Sequence, residues 1–152
     1  MTSTPQPLPD FFNPYAHGFV RVAVAVPRIQ VADPAFNATE SIAMLREAAA
    51  QGAVLVAFPE LGLSAYTCDD LFHQRALLDA CEVALGRIAE ATGQTATVAV
   101  VGVPLRVDDR LFNCAAVCSG GRVLGVVPKT YLPNYGEFYE ARQFQGADTA
   151  VS

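Results

Sequence analysis

Two charged residues stand where buried runs end. Glu60 follows the wholly apolar run Ala53-Val-Leu-Val-Ala-Phe58, with only Pro59 between, and Lys129 follows Gly125-Val-Val127, with only Pro128 between. In open α/β sheets, ligands bind beyond the carboxyl ends of the strands, so both positions are candidate sites for chemistry. A buried carboxylate holds its proton more tightly and a buried ammonium less tightly, unless the two meet. Such a pair suits proton transfer combined with stabilisation of a developing oxyanion. On spacing alone, two ordinary, partly solvated loop charges are the commoner outcome. The choice turns on whether positions 60 and 129 converge.

Other reactive groups give weaker signals. Of the four cysteines, Cys81 and Cys118 fall at apolar-periodic positions, Cys114 lies within a strand, and Cys68 follows Glu60 in the next loop. Cys114 and Cys118 share a strand face, yet no second pair or nearby histidine completes a metal set, so no metal site is expected. His17 and His73 are isolated. Asn37-Ala-Thr39 matches a glycosylation sequon but reads more simply as a helix start. Asp69-Asp70 suits the positive end of the helix that follows. Tyr131, Tyr135, Phe138 and Tyr139 form an aromatic cluster, either a pocket wall or loop packing. Gly120 and Gly125 have phosphate-loop spacing, but Val126 stands where that loop needs lysine, and there is no G-x-G-x-x-G run.

The elements that must position these groups are legible from periodicity. Val20–Val26 reads as a strand, Asn37–Gln51 as a helix with Ile42, Leu45 and Ala49 on one stripe, and Ala53–Phe58 as a strand covered on both faces. Arg75–Thr92 is a second helix, with Leu77, Cys81, Leu85 and Ile88 at helical spacing and Gly93 as its stop. Thr97–Val103, Leu111–Cys118 and Arg122–Val127 are strands, separated by turns at Asp108-Asp109 and Gly120-Gly121. The order is β-α-β-α-β-β-β, then an aromatic loop with one short helix. Strand, helix, strand implies parallel neighbours; the later hairpins add antiparallel strands. A mixed sheet follows, with two helices covering one face and an exposed apolar face opposite. Residues 1–13 form a Pro-rich flexible lead to the rest, 14–152, and another strand could begin within 146–152.

Composition narrows the class. The chain has 152 residues, 52% hydrophobic and 16% charged, which is core-rich and globular. Its net charge is -5 and no two basic residues are adjacent, which argues against nucleic-acid binding. The first dozen residues hold three prolines and no signal-like apolar stretch, and no run is long enough for a membrane span. A cytoplasmic protein with reduced thiols is the expectation.

The residues around the two charges are specific. Phe58-Pro-Glu-Leu-Gly-Leu-Ser-Ala-Tyr66, followed by Asp70-Leu-Phe72, resembles the glutamate segment of the nitrilase superfamily of carbon-nitrogen hydrolases. Pro128-Lys-Thr-Tyr-Leu-Pro-Asn-Tyr-Gly-Glu-Phe-Tyr-Glu140 resembles its lysine segment, in the form found in the glutaminase domains of glutamine-dependent NAD synthetases. The opening Phe11-Phe-Asn-Pro-Tyr-Ala-His-Gly-Phe-Val-Arg21 is also similar to the start of the bacterial synthetases.

The resemblance implies an α/β fold, the α-β-β-α sandwich of that superfamily, of which this chain would be the first half. It implies that Glu60 is the general base and that Lys129 stabilises the tetrahedral intermediate. Glu137, eight residues after Lys129, would be the family's second glutamate, positioning substrate and lysine, and Tyr135 would line the glutamine pocket. The family attacks its amide with a cysteine thiolate, giving a thioester and free ammonia. That cysteine lies downstream of the lysine, whereas all four cysteines here precede Lys129, so no nucleophile is expected in the chain and it should be inactive alone. Cys68 is the one substitute, and it does not match the family position. The glutaminase half needs no cofactor; ATP and magnesium are implied for a synthetase domain, absent here, that amidates deamido-NAD. Glutamine, that domain and a homo-oligomer are the implied partners. Two other readings stay open: a different carbon-nitrogen hydrolase, such as an ω-amidase or carbamoylase, and a non-catalytic remnant acting as a binding module.

Overall fold

A computed structural model describes residues 10–150. In chain order they form β1 (Val22–Val24), α1 (Pro34–Ala50), β2 (Leu55–Ala57), α2 (Arg75–Thr92), β3 (Val98–Val107), β4 (Arg110–Ser119) and β5 (Arg122–Pro128). The five strands make one sheet in the order β1-β2-β3-β4-β5. β1 and β3 each lie parallel to β2, and the β3–β4 and β4–β5 pairs are antiparallel. This is the mixed α/β sheet that the element order implies.

The register separates two faces. Ala23, Val56, Ala99 and Cys118 align across four strands, and Val56, Ala99 and Cys118 are fully buried beneath the helices with Leu45 and Ile88. The opposite face carries Val24, Ala57, Val100, Val117 and Gly125 in one row and Gly102, Ala115 and Val127 in the next. Every residue of those rows is apolar, yet Val24 is 83% and Val127 63% exposed. The open apolar face expected from the sequence is therefore present.

Several boundaries differ from expectation. β1 and β2 are three residues long, because each pairs over only three positions, and Leu55 and Ala57 are half-buried because the helices cover one side. β3 runs on to Val107, since Asp108 and Asp109 (φ +48° and +61°) close a tight hairpin of the primed type on Arg110. Gly120 and Gly121, at φ +59° and +83°, close the next one. At the two ends, the lead lies largely outside the described residues, though Asp10–Phe12 forms a 3-10 turn. Ala147–Thr149 is likewise a 3-10 turn rather than the start of a strand. Among the described residues no helix is long and apolar enough to cross a membrane.

α1 begins three residues earlier than its periodicity suggests. The Asp33 carboxylate accepts a hydrogen bond from Phe36 N at 3.0 Å, and Pro34 takes the first helical position, where an N–H would have no partner. Asn37 is thereby moved inside the helix and fully buried, which removes it as a glycosylation acceptor. Its Nδ2 donates to the carbonyls of Gln30 and Leu63, each at 2.9 Å, while its Oδ1 accepts from Gln30 N at 2.7 Å. Asn37 thus ties α1 to the loop that carries Glu60. Asn37→Ala strands buried backbone groups on both segments and is expected to cost about 3 kcal/mol. Urea unfolding checks this, and a loss below about 1 kcal/mol would show the loop to be held by other contacts.

Candidate active site

Glu60 leaves β2 on a constrained loop. Leu61 follows it at φ +50°, a left-handed conformation that costs a bulky residue on the order of 1 kcal/mol or more. Burial holds the loop in that state: Leu61 and Leu63 are fully enclosed, Gly62 N donates to Pro59 O at 3.2 Å, and Leu63 N donates to Gly102 O of β3 at 3.2 Å. Lys129 is set by the sheet itself, its backbone N–H donating to Asn113 O of β4 at 2.8 Å.

The two side chains converge. Lys129 Nζ lies 2.7 Å from Glu60 Oε1 and 3.0 Å from Glu140 Oε1. Asn113 Nδ2 also donates to Glu60 Oε1, and the Tyr66 hydroxyl donates to Glu140 Oε1 at 2.6 Å. One cation is shared by two carboxylates of different exposure: the Glu140 side chain is 5% exposed and that of Glu60 43%. Burial opposes the charge on Lys129. Hydrogen bonds and charge from Glu60 and Glu140 outweigh it and raise the lysine above its ordinary 10.5. Burial first, then the bond to Glu140, pushes the Tyr66 phenol well above its ordinary 10.0, so it remains a donor. Tyr66→Phe removes that donor. Because Tyr66 is about a third exposed, the expected loss is only about 1 kcal/mol, read from the urea midpoint. No loss at all would mean water replaces the phenol freely.

Three members of this network were not singled out by the sequence reading: Asn113, Tyr66 and Glu140. Asn113 did leave a signal, as the lone amide side chain within the Leu111–Cys118 run. Glu140 closes the lysine segment but sits eleven residues from Lys129. Glu137 lies on the exposed loop ahead of it, outside the lysine's contacts. Tyr135 is 73% exposed and meets the edge of Phe138, with ring centres 6.0 Å apart. Asp69 and Asp70 fall in a separate 3-10 turn, Asp69–His73, ahead of α2. There they tie down the final loop, Asp69 accepting from the Tyr139 hydroxyl at 2.6 Å and Asp70 pairing with Arg142 at 2.7 Å.

Two cavities flank this network. One, of about 320 Å³, lies on the open sheet face and is lined by Glu60, Asn113 and Lys129 together with Gly102, Ala115 and Val127. The other, of about 370 Å³, is walled by Tyr66, Phe72, Phe138, Tyr139 and Phe144 and bordered by Glu137, Glu140 and Gln143. Phe138 and Tyr139 are therefore pocket wall, whereas Tyr131, 88% exposed, and Tyr135 stand outside it. Cys114 borders the first cavity, but burial raises its thiol to about 11. Cys68 is buried too, its thiol donating to Ser64 O at 3.0 Å and raised by burial. A cysteine nucleophile acts as the thiolate, and neither environment favours one.

A lysine bridging a strand-end glutamate and a second, buried carboxylate beside a strand-end cavity suits amide hydrolysis. The chain belongs to the carbon-nitrogen hydrolase family, whose profile matches residues 21–148. Among curated relatives, it is 47% identical over 139 residues to the glutamine-dependent NAD(+) synthetase of Mycobacterium tuberculosis H37Rv, covering 91% of this chain and 20% of that protein. The enzyme of the same description from Xylella fastidiosa 9a5c is 41% identical over 128 residues, 84% of this chain and 23% of that protein. The chain thus spans about a fifth of the length of these curated relatives. Among solved structures, the glutamine-dependent NAD(+) synthetase from Cytophaga hutchinsonii superposes with a TM-score of 0.78 at 26% identity, over 84% of this chain and 22% of that one. A variant of the Nesterenkonia AN1 amidase from the nitrilase superfamily gives 0.69 at 25% identity, over 84% and 49%. The fold expectation is met: the five-stranded sheet and its helices match part of the nitrilase-superfamily domain.

Proposed function

We propose that the chain supplies the glutamate and lysine of a glutamine amidohydrolase, the ammonia-releasing part of a glutamine-dependent NAD synthetase. The observation that carries this reading is the 2.7 Å contact between Lys129 Nζ and Glu60 Oε1 at the mouth of a strand-end cavity. Glu60 takes the proton of a cysteine thiol as sulfur attacks the amide carbon. Lys129 stabilises the oxyanion of the tetrahedral intermediate. The C–N bond then breaks, Glu60 returns its proton to the leaving nitrogen, and ammonia departs. Glu60 next takes a proton from water, which hydrolyses the thioester and restores the thiol. Glu140 steadies the lysine from the side away from Glu60. Tyr135 and Glu137 keep the substrate-side roles that the family resemblance gives them, and their exposure leaves them free to meet a ligand.

ATP and magnesium enter only in amidating deamido-NAD. Here both carboxylates are tied to Lys129, an arrangement suited to a proton and an oxyanion rather than to a magnesium cage. A synthetase domain on the same polypeptide belongs to the same proposal, supported by the likeness to the synthetases; a homo-oligomeric assembly and a cytoplasmic location are carried with it from the sequence resemblance alone.

The chain by itself is expected to release no ammonia from glutamine, because its buried thiols are not held as thiolates. Turnover by the purified chain that Cys68→Ser or Cys114→Ser abolishes would overturn that expectation. The positive test is a chimera in which this chain replaces the matching segment of the M. tuberculosis relative. Ammonia release from glutamine, coupled to NAD formation, is expected; a folded chimera that prefers simple ω-amides would favour the ω-amidase reading instead.

A further inference from the structure

We propose that Gln143 is a positioning residue for the catalytic pair: its side-chain Nε2 donates to Oε2 of Glu140 and fixes the carboxylate that anchors Lys129. This rests on, and deepens, the reading of Lys129 as the oxyanion-stabilising cation.

Glu140 and Gln143 are 5% and 7% exposed. Among the described residues, three buried side-chain polar atoms have no hydrogen-bond partner, and all three belong to these two residues: Glu140 Oε2, Gln143 Nε2 and Gln143 Oε1. A buried polar atom without a partner carries its full desolvation cost, so such atoms are rare and call for an explanation. Their coincidence has a geometric basis. Gln143 follows the 3-10 turn Glu140–Arg142 and closes it, its N–H donating to Glu140 O at 2.9 Å. Residues three apart on a 3-10 turn eclipse, so the two side chains project to the same side. Both also border the aromatic cavity.

The other groups facing Glu140 do not satisfy Oε2. Lys129 Nζ and the Tyr66 hydroxyl both bond to Oε1. Around the cavity, Asp69 and Glu137 carry the same charge as Glu140, and the Tyr139 hydroxyl is engaged by Asp69. An amide turned toward Glu140 gives one orphaned oxygen and one orphaned nitrogen a partner at once, and it adds no charge. The carboxylate is then gripped on both oxygens: Oε1 by the lysine and the phenol, Oε2 by the amide behind them. Fixed in this way, it holds Lys129 against Glu60 in a single orientation.

The test uses the full chain, isotope-labelled for NMR. The Gln143 side-chain amide protons are expected to exchange slowly with solvent, and their resonance to move in Glu140→Gln. Gln143→Met keeps the side-chain volume and removes the donor. In that variant the Lys129 titration midpoint is expected to fall by about 0.5 pH unit, roughly threefold in proton affinity. A purely structural role would leave that midpoint in place. Rapid exchange of the Gln143 amide in the unaltered chain, as when water separates the two groups, overturns the proposal even if the variants fail to fold. So does an unchanged Lys129 midpoint in folded Gln143→Met. Neither readout depends on ammonia release, so failure of the glutaminase reading and failure of this contact are separately visible.

Discussion

Lys129→Met is expected to cut glutamine hydrolysis in the chimera by about 10²–10³-fold, the usual consequence of removing one stabiliser of an acyl-transfer oxyanion. The same substitution should destabilise the chain itself by about 3 kcal/mol at neutral pH. That figure takes the low end of the cost of breaking a buried ion pair, because the Lys129 side chain is itself 28% exposed. The two carboxylates share the loss unequally. Glu60 is 43% exposed and recovers much of its solvation from water, whereas Glu140 is 5% exposed and loses its one cationic partner among the described residues. Substituting the lysine should therefore hurt stability through Glu140 and hurt chemistry through the oxyanion. A double variant, Lys129→Met with Glu140→Gln, should regain part of the stability and none of the activity. Equal stability of Lys129→Met and the parent chain would mean that Glu140 is solvated in a way the structure does not contain.

The pH dependence of this pair has a definite sign. Lys129 is raised above the ordinary lysine value, so the stability it contributes is fully present below the unfolded value near 10.5. It is lost as pH rises through the higher folded value. The chain should therefore hold its lysine-dependent stability across the neutral range and shed it only in strong alkali. In Lys129→Met the alkaline loss in a plot of the urea midpoint against pH should shrink by the lysine's share, leaving the part due to Tyr66 and the buried thiols.

How much of this was legible in the sequence depended on whether a signal was local. The helix Arg75–Thr92 is legible at both ends, because an apolar stripe and a terminating Gly93 are both contained in its own segment. The start of α1 was misplaced because Asp33-Pro34 serves equally as a turn and as a cap, and only the Phe36 contact decides between them. The strand ends that carry Glu60 and Lys129 were legible because a proline closes each apolar run, although the run before Lys129, read as buried, is exposed along β5 because nothing covers that edge among the described residues. Their second partner was not. Glu137 and Glu140 lie three residues apart in one aromatic loop, and spacing from Lys129 cannot say which folds inward. The 3-10 turn Glu140–Arg142 decides it, with Glu140 N bonded to Pro133 O and the Glu140 side chain meeting Tyr66 from another loop. Tyr66 and Asn113 reach the site only through tertiary contacts 74 and 53 residues distant in sequence, beyond any local pattern.

Gly102→Ala, a change of one methyl group, is expected to be as damaging as the loss of a charge. Gly102 lies in β3 on the open apolar face, opposite Ala115. A Cβ placed there would sit 2.5 Å from Pro59 O and 2.8 Å from the Glu60 carbonyl carbon, and still closer to Leu61 N. All three are backbone atoms of the loop that delivers Glu60, so no flexible side chain can swing aside. The loop has little freedom to retreat: Leu63 N is bonded to Gly102 O, and Leu61 and Leu63 are fully buried. Overpacking of this kind costs about 3 kcal/mol. Whatever relaxation occurs must move Glu60 away from Lys129, and a displacement of about 1 Å in a catalytic group can cost on the order of 10²-fold in rate. Gly125→Ala is the matched control, on the same face with nothing within 4 Å of the added methyl, and it should leave both stability and the Lys129 titration unchanged. If Gly102→Ala behaves like its control, the glutamate loop does not rest on β3, and the approach of Glu60 to Lys129 must be fixed by the Asn113 and lysine contacts alone.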